Sequence, residues 1–251
     1  MRSRLLGLLV VLGVPTGAAL AQPAPDAAAY AALAKLPEIG GLWEMTFGGG
    51  PRGAPQEGPS FTPAYAAKLK SYQDAQKRGE IQDSPAANCV PPGMPGVMTQ
   101  PYPIDILVTP GKITIIAEAY SQWRQIFTDG RKHPDDPDLT FNGHSVGHWE
   151  GDTLVVDTVG FTTDTALGGF GMRHSDKMHI VERMRLAGPD RLEIETTVTD
   201  PEALAKPWVT KRAYGRHRDW TLAEYVCQQN NRNFTTSDGK AGINLDFEVK
   251  K

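Results

Sequence analysis

Cysteine is scarce in this chain: two residues in 251, Cys89 and Cys227. There is no Cys-x-x-Cys and no His-Glu-x-x-His, so the usual thiolate clusters and zinc-protease helices are excluded. An excess of positive charge is also missing. The 26 Lys and Arg are scattered among 29 Asp and Glu, for a net charge of -3, which argues against a nucleic-acid-binding stripe. The Gly-x-Ser-x-Gly run Gly143-His144-Ser145-Val146-Gly147 reads as extended strand, so the strand-to-helix elbow of a serine nucleophile is absent. So is a phosphate cradle, because the Gly-Gly-Phe-Gly at 168–171 has no Lys-Ser/Thr partner. No apolar run reaches the roughly 20 residues of a membrane span. Without repeat, heptad or charged tail, a structural envelope role has little behind it.

What is present begins with MRSRLLGLLVVLGVPTGAALAQ. Arg2 and Arg4 precede the apolar run Leu5 to Val14, and Ala19-Leu20-Ala21 is a small-residue cleavage box. This predicts a secretory signal peptide over residues 1–21, cleaved after Ala21, and a periplasmic protein with no lipid anchor and no membrane span. In an oxidising compartment an even cysteine count favours a Cys89–Cys227 disulfide. On the chain-entropy view, closing so long a loop contributes about 4–5 kcal/mol.

Residues 22–103 read as an N-terminal region of strand, helix and Pro/Gly-rich irregular chain. A short helix is expected from Asp26 through Lys35, an alternating strand over 40–47 and a loop over 48–61. Thr62, Pro63 and Gly79 then bracket a helix as cap, first helical position and stop. Residues 80–103, with six prolines and Cys89, read as an irregular segment wrapped over the surface. From 104 to 251 the rhythm is one of hairpins, turning at Pro110-Gly111, Gly151-Asp152 and Gly188 to Asp190. Leu192, Ile194 and Val198 alternate with Glu193, Glu195 and Thr197, the pattern of a strand half in water. A Thr221–Glu224 capping box predicts a closing C-terminal helix that carries Cys227. With no βαβ rhythm, successive hairpins imply an antiparallel meander that avoids exposed edges by closing on itself. The fold class expected is mainly β: an antiparallel barrel of eight to ten strands with a few flanking helices, ahead of a β-sandwich.

Three clusters carry candidate chemistry. The first is Glu118, Tyr120, Trp123 and Arg124 with Asp129, Arg131 and His133. Buried polar groups must find partners or cost about 1–3 kcal/mol each, so Arg124 is expected to pair bidentately with Glu118 or Asp129. The competing reading makes Asp129-Gly130 a plain turn capped by Arg131. The second cluster is HSDKMHIVER, residues 174–183. On a strand His179, Val181 and Arg183 share one face, while Met178, Ile180 and Glu182 share the other. The stretch does not decide which face is inside. Imidazole is the natural acid–base group near neutral pH. The third pairs His144 with His148, four apart on one strand face. With His174 or His179 they would make a three-His zinc site, but ordinary strand histidines are the preferred reading, so no metal and no cofactor is expected. Aromatics recur beside these groups, at Tyr102, Tyr120, Trp123, Phe127, Phe161, Phe170, Trp208 and Tyr214; most are expected in the core, and some could line a pocket for a flat apolar ligand.

Beyond these readings, the chain resembles a family of exported bacterial lipocalin-like β-barrel proteins, most of them without an assigned activity. The resemblance covers roughly residues 102–231. It rests on Glu118, Arg124, DGRKHP (129–134), SVGHWEGDTLVVDTVGF (145–161), HIVER (179–183), TDPEALAKPW (199–208) and EYVCQQNN (224–231). A Gly-x-Trp entry, Gly41-Leu42-Trp43, is similar to the way such barrels begin. The chain also resembles, more weakly, formaldehyde-releasing lyases that act on lignin-derived phenylcoumaran dimers.

The function expected is therefore that of an exported, cofactor-independent acid–base enzyme, a carbon–carbon lyase or isomerase acting on a hydrophobic aromatic substrate. His179 or Tyr120 would be the base, Glu182 or Asp129 the acid partner, and Arg124 or Arg131 would steady developing negative charge. Trp123, Tyr102, Phe127, Trp208 and His174 would contact the substrate. The alternative is a periplasmic binding or carrier protein for a hydrophobic small molecule. A homodimer is compatible with either. Both depend on Arg124, Asp129 and His179 meeting at one hollow.

Overall fold

The computed structural model describes residues 27–46, 57–80, 89–168, 171–227, 233–235 and 241–243. The expected signal peptide and its cleavage point lie outside the described residues, as do most of the 48–61 loop and residues 81–88. Nine strands close into a barrel in sequence order. They are β1 (Gly41–Met45), β2 (Ile104–Thr109), β3 (Lys112–Ala117), β4 (Gln122–Phe127), β5 (His144–Glu150), β6 (Thr153–Val159), β7 (His179–Gly188), β8 (Arg191–Thr199) and β9 (Trp208–His217). Closure comes from β1 running antiparallel to β9, with Leu42 opposite His217 and Met45 opposite Tyr214. The architecture is the closed barrel that the hairpin rhythm predicted, and it is lipocalin-like, as the resemblance implied. Two helices flank it, α1 (Ala27–Leu33) and α2 (Pro63–Lys77). Two short strands, β10 (Asn233–Thr235) and β11 (Ala241–Ile243), pair with each other.

Period-2 alternation decides which side chains fill the barrel. Ile104 and Ile106 of β2, Ile113 and Ile115 of β3, and Ile180 and Met184 of β7 all point inward and are buried. On β8 the inward set is Leu192, Ile194, Thr196 and Val198, while Glu193 and Glu195 face outward. Each fully buried large aliphatic side chain contributes about 1.5–3 kcal/mol. Trp43, from the Gly-x-Trp entry, is completely buried and its indole N–H donates to the Ile39 carbonyl at 2.9 Å.

One seam breaks the meander. β4 and β5 run parallel, in register only at Ile126–Ser145 and Phe127–Val146. Parallel neighbours need a long crossover, and residues 128–143 supply it. Gly147 permits the close approach at this seam, since a Cβ there would sit 2.8 Å from Ile126 Cγ2.

Two sequence expectations need correction. The Pro-rich segment does not wrap over the surface where it is described. Met94, Val97 and Met98 are buried in the barrel core. Gly93 lies at φ +61, where a Cβ would strike the Phe141 carbonyl oxygen at 2.5 Å. The segment is apolar enough to serve as packing, and the barrel end takes it in. The closing helix also fails to form over Thr221–Val226, which is irregular. Its backbone bonds elsewhere: the Ala223 N–H donates to Glu118 Oε2 at 2.7 Å and the Ser121 hydroxyl donates to the Tyr225 carbonyl at 3.1 Å. Residues 228–232 of that expected helix lie outside the described residues. The Cys89–Cys227 disulfide does form, joining positions 138 apart in sequence.

Candidate ligand-binding site

The interior of the barrel is only partly filled. Between the inner faces of β7, β8 and β9 and the Pro95–Thr99 segment lies a cavity of about 510 Å³. Its apolar lining includes Met98, Leu167, Met172, Ile194, Val198 and Trp208. Its polar lining includes Thr196, Thr210, Tyr214, Arg212 and two carboxylates, the exposed Glu57, which pairs with Lys206, and the buried Glu182. An apolar hollow with a few placed polar groups is the usual form of a small-molecule site.

Glu182 is fully buried because it occupies an inward position of β7 between Ile180 and Met184. Arg124 reaches it from β4, with its Nη2 2.8 Å from Glu182 Oε2. The same Nη2 donates to Ser145 Oγ at 3.1 Å and Thr158 Oγ1 at 3.3 Å, and Nη1 approaches the Met94 sulfur at 3.3 Å. Although its buried Nε has no partner among the described residues, the guanidinium is thus held at both Nη atoms. The carboxylate is not: neither oxygen receives an aligned hydrogen bond from the described residues, so the contact with Arg124 is one of charge rather than of directed bonding. Beside it, the Tyr214 phenol is pushed far above its ordinary range by burial and then by the nearby Glu182 charge. It stays protonated and donates to the Met98 carbonyl, tying the inserted segment to the barrel wall.

The expected partners of Arg124 were wrong on geometric grounds. Glu118 is engaged by Ala223, and Asp129 is taken by Arg131. Asp129-Gly130 makes the plain turn, with Gly130 at φ +83, and the Asp129 carboxyl is held low by its bonds to Arg131. The postulated meeting of Arg124, Asp129 and His179 at one hollow does not occur.

His179 faces outward, as the neighbour of inward Ile180 and Val181's face-mate, and its Nε2 lies 2.8 Å from Asp157 Oδ2. His133 Nε2 lies 3.0 Å from the other oxygen of Asp157, and its Nδ1 meets His144 Nδ1 at 2.8 Å. These groups latch the 128–143 crossover to the outer wall. Burial, then the neighbouring His133 and Arg131, depress the His144 pKa. Phe127 stacks on His144 at 5.4 Å and carries the Arg131 guanidinium over its ring, 3.9 Å from the ring centre. Trp123 is exposed on the same wall, bordering a separate surface hollow. His148 is exposed and pairs with Glu150 at 3.2 Å. The three-His arrangement therefore does not assemble, and no metal-binding group of three or more such residues occurs among the described residues.

Tyr120 sits at φ 60 in a tight turn, against Tyr225 at 5.2 Å, and Tyr225 meets Tyr102 at 5.5 Å. Neither tyrosine lines the cavity. His174 is buried in the connection between β6 and β7. Its Nδ1 faces the Ser175 carbonyl at 2.8 Å and must carry the proton, while Nε2 faces Thr165 Oγ1 at 2.6 Å. Of the expected site residues, only Glu182 and Trp208 line the cavity, and Arg124 stands directly behind Glu182. Tyr214, one of the aromatics that the sequence offered as pocket lining, is also there; sequence reasoning missed Met98 and the Ser145–Thr158 pair. The recoverable signal was a lone carboxylate on the apolar face Met178-Ile180-Glu182-Met184.

No family model matches the sequence, and a search of curated proteins finds no match. Among solved structures the chain is similar to the wild-type fluorescent protein UnaG, at 14% identity and a TM-score of 0.34, covering 74% of this chain and 99% of that one. A mutant of UnaG is 12% identical at a TM-score of 0.34, covering 72% and 97%. These likenesses concern the fold alone.

Proposed function

We propose that the protein binds a hydrophobic small molecule inside the barrel and acts as a carrier or receptor for it. The observation that supports this reading best is the cavity of about 510 Å³, apolar over most of its lining and closed at its floor by a buried carboxylate. Trp208 and Tyr214 favour an aromatic ligand. The leader sequence and the disulfide favour the periplasm as its place of work, and no helix among the described residues is long and apolar enough to cross a membrane. A homodimer remains compatible with this reading. The test is equilibrium dialysis of the purified protein against a panel of apolar aromatics, beside a Val198→Phe variant that fills the cavity. Stoichiometric binding lost in the variant supports the reading; binding that is unaltered by the substitution overturns it.

A second reading rests on Glu182 itself. A carboxylate shielded from water beside an apolar cavity can serve as a base. In a formaldehyde-releasing lyase it would take the proton of a hydroxymethyl group. The carbon–carbon bond would break, formaldehyde would leave, and the electron pair would form a C=C bond as the ring C–O bond opens to a phenolate. Formaldehyde released from a phenylcoumaran-type dimer by the wild type but not by Glu182→Gln would favour this reading; binding without turnover would favour the carrier.

A further inference from the structure

The polar floor of the cavity has a charge balance that selects among ligands. Arg124 and Glu182 are both sealed from solvent and cancel each other's charge. Yet the guanidinium has three further partners, in Ser145, Thr158 and Met94, while both carboxylate oxygens lack an aligned donor. The Arg124 Nε is also without a partner, but Arg124 does not line the cavity; the unfilled capacity that faces the cavity is that of Glu182, an acceptor, alongside Tyr214. The Tyr214 hydroxyl does not fill it, because its proton goes to the Met98 carbonyl.

From this geometry we infer that the cavity selects an uncharged ligand carrying a hydroxyl group, whose O–H donates to Glu182. The inference rests on the proposed binding function and names its ligand class. An ammonium group would also donate, but Arg124 has already neutralised the carboxylate. A second cation would leave one unbalanced charge in an apolar enclosure, which is strongly unfavourable. A carboxylate ligand would set a second negative charge against Glu182 in the same enclosure, which is likewise unfavourable. An alkyl group would fit the lining but leave the Glu182 oxygens dry and unpaired. The neutral hydroxyl fills the acceptor without disturbing the charge balance, and Ser145 and Thr158 do not compete for it, being bonded to each other at 2.9 Å and to Arg124.

The test is calorimetric titration at pH 7 with four probes of nearly one shape: 1-naphthalenemethanol, 1-ethylnaphthalene, 1-naphthylmethylamine (protonated at this pH) and 1-naphthoate. The alcohol should bind about 10–100-fold more tightly than the ethyl compound, the value of one hydrogen bond to a charged acceptor, with the amine and the carboxylate weaker still. In the double variant Arg124→Met/Glu182→Leu, the alcohol and ethyl probes should bind alike. If the ethyl or ammonium probe equals or exceeds the alcohol in the wild type, the inference is overturned while ligand binding stands. If none of the four binds, the binding reading falls with it. The wild-type series decides the matter even if the double variant does not fold.

Discussion

Arg124 of β4 and Glu182 of β7 lie 2.8 Å apart inside the barrel, although their strands are not neighbours in the sheet. The pair spans the interior, so it both ties opposite walls and sets the polarity of the cavity floor. Removing one partner leaves a buried charge uncompensated. Arg124→Met or Glu182→Gln alone should destabilise the protein by about 3–5 kcal/mol, whereas Arg124→Met/Glu182→Leu should return to within about 1 kcal/mol of the wild type. Urea unfolding followed by circular dichroism measures both. A loss in the double variant equal to the sum of the two single losses would show that the pair is not electrostatically coupled.

His179 offers the opposite expectation. On the outer wall, partly exposed and beside Asp157, it acts on neither the cavity nor its ligand. His179→Ala should change stability by less than about 1 kcal/mol and leave the affinity for an apolar ligand unaltered. A ten-fold loss of affinity in the calorimeter would return His179 to the site.

The difference between these two residues shows how far the sequence could be read. Hairpin turns at Pro110-Gly111, Gly151-Asp152 and Gly188 to Asp190 were legible because turn chemistry is local. The two faces of β7 were legible too, since alternation is a property of the strand. Which face was inside was not, because burial is set by β6 and β8 and by the closure of β1 on β9. Once Ile180, Glu182 and Met184 turn inward, His179 must turn out. The partner of Arg124 was equally hidden: Glu182 is 58 positions away, on a strand that β4 does not touch. The Pro-rich segment misled for a related reason. Its prolines spoke for a surface loop, while Met94, Val97 and Met98 between them belonged to the core.

Acid should weaken the fold. Burial depresses the His174 pKa from its ordinary 6.5, outweighing the Ser175 carbonyl and the Asp200 charge that favour protonation, and the Arg173 charge adds to the depression. The native state holds this imidazole neutral, while the unfolded chain takes up its proton near pH 6.5. His174 therefore contributes stability that is complete above that pH and declines as pH falls below it. His144, also depressed, acts in the same direction. The thermal midpoint should fall between pH 7.5 and pH 5, and less steeply in His174→Asn. A wild-type midpoint that is level or rises over this range would contradict the assignment.

The disulfide anchors an irregular segment rather than a helix. Reducing Cys89–Cys227 should cost about 2–5 kcal/mol, seen as a lower urea midpoint under dithiothreitol. Cys89→Ser/Cys227→Ser should match the reduced protein and no longer respond to reductant. Unchanged midpoints in both would indicate that the C-terminal segment adds nothing to the stability of the barrel.

The central claim is that the barrel interior, and not its outer wall, receives the ligand. Methyl NMR of the methionines during titration with 1-naphthalenemethanol tests it most directly. Met45, Met98 and Met172 line the cavity, while Met178 is buried outside that lining. The account predicts saturable shifts of the first three with Met178 still. Saturable binding that leaves Met45, Met98 and Met172 unmoved would place the ligand elsewhere and contradict it.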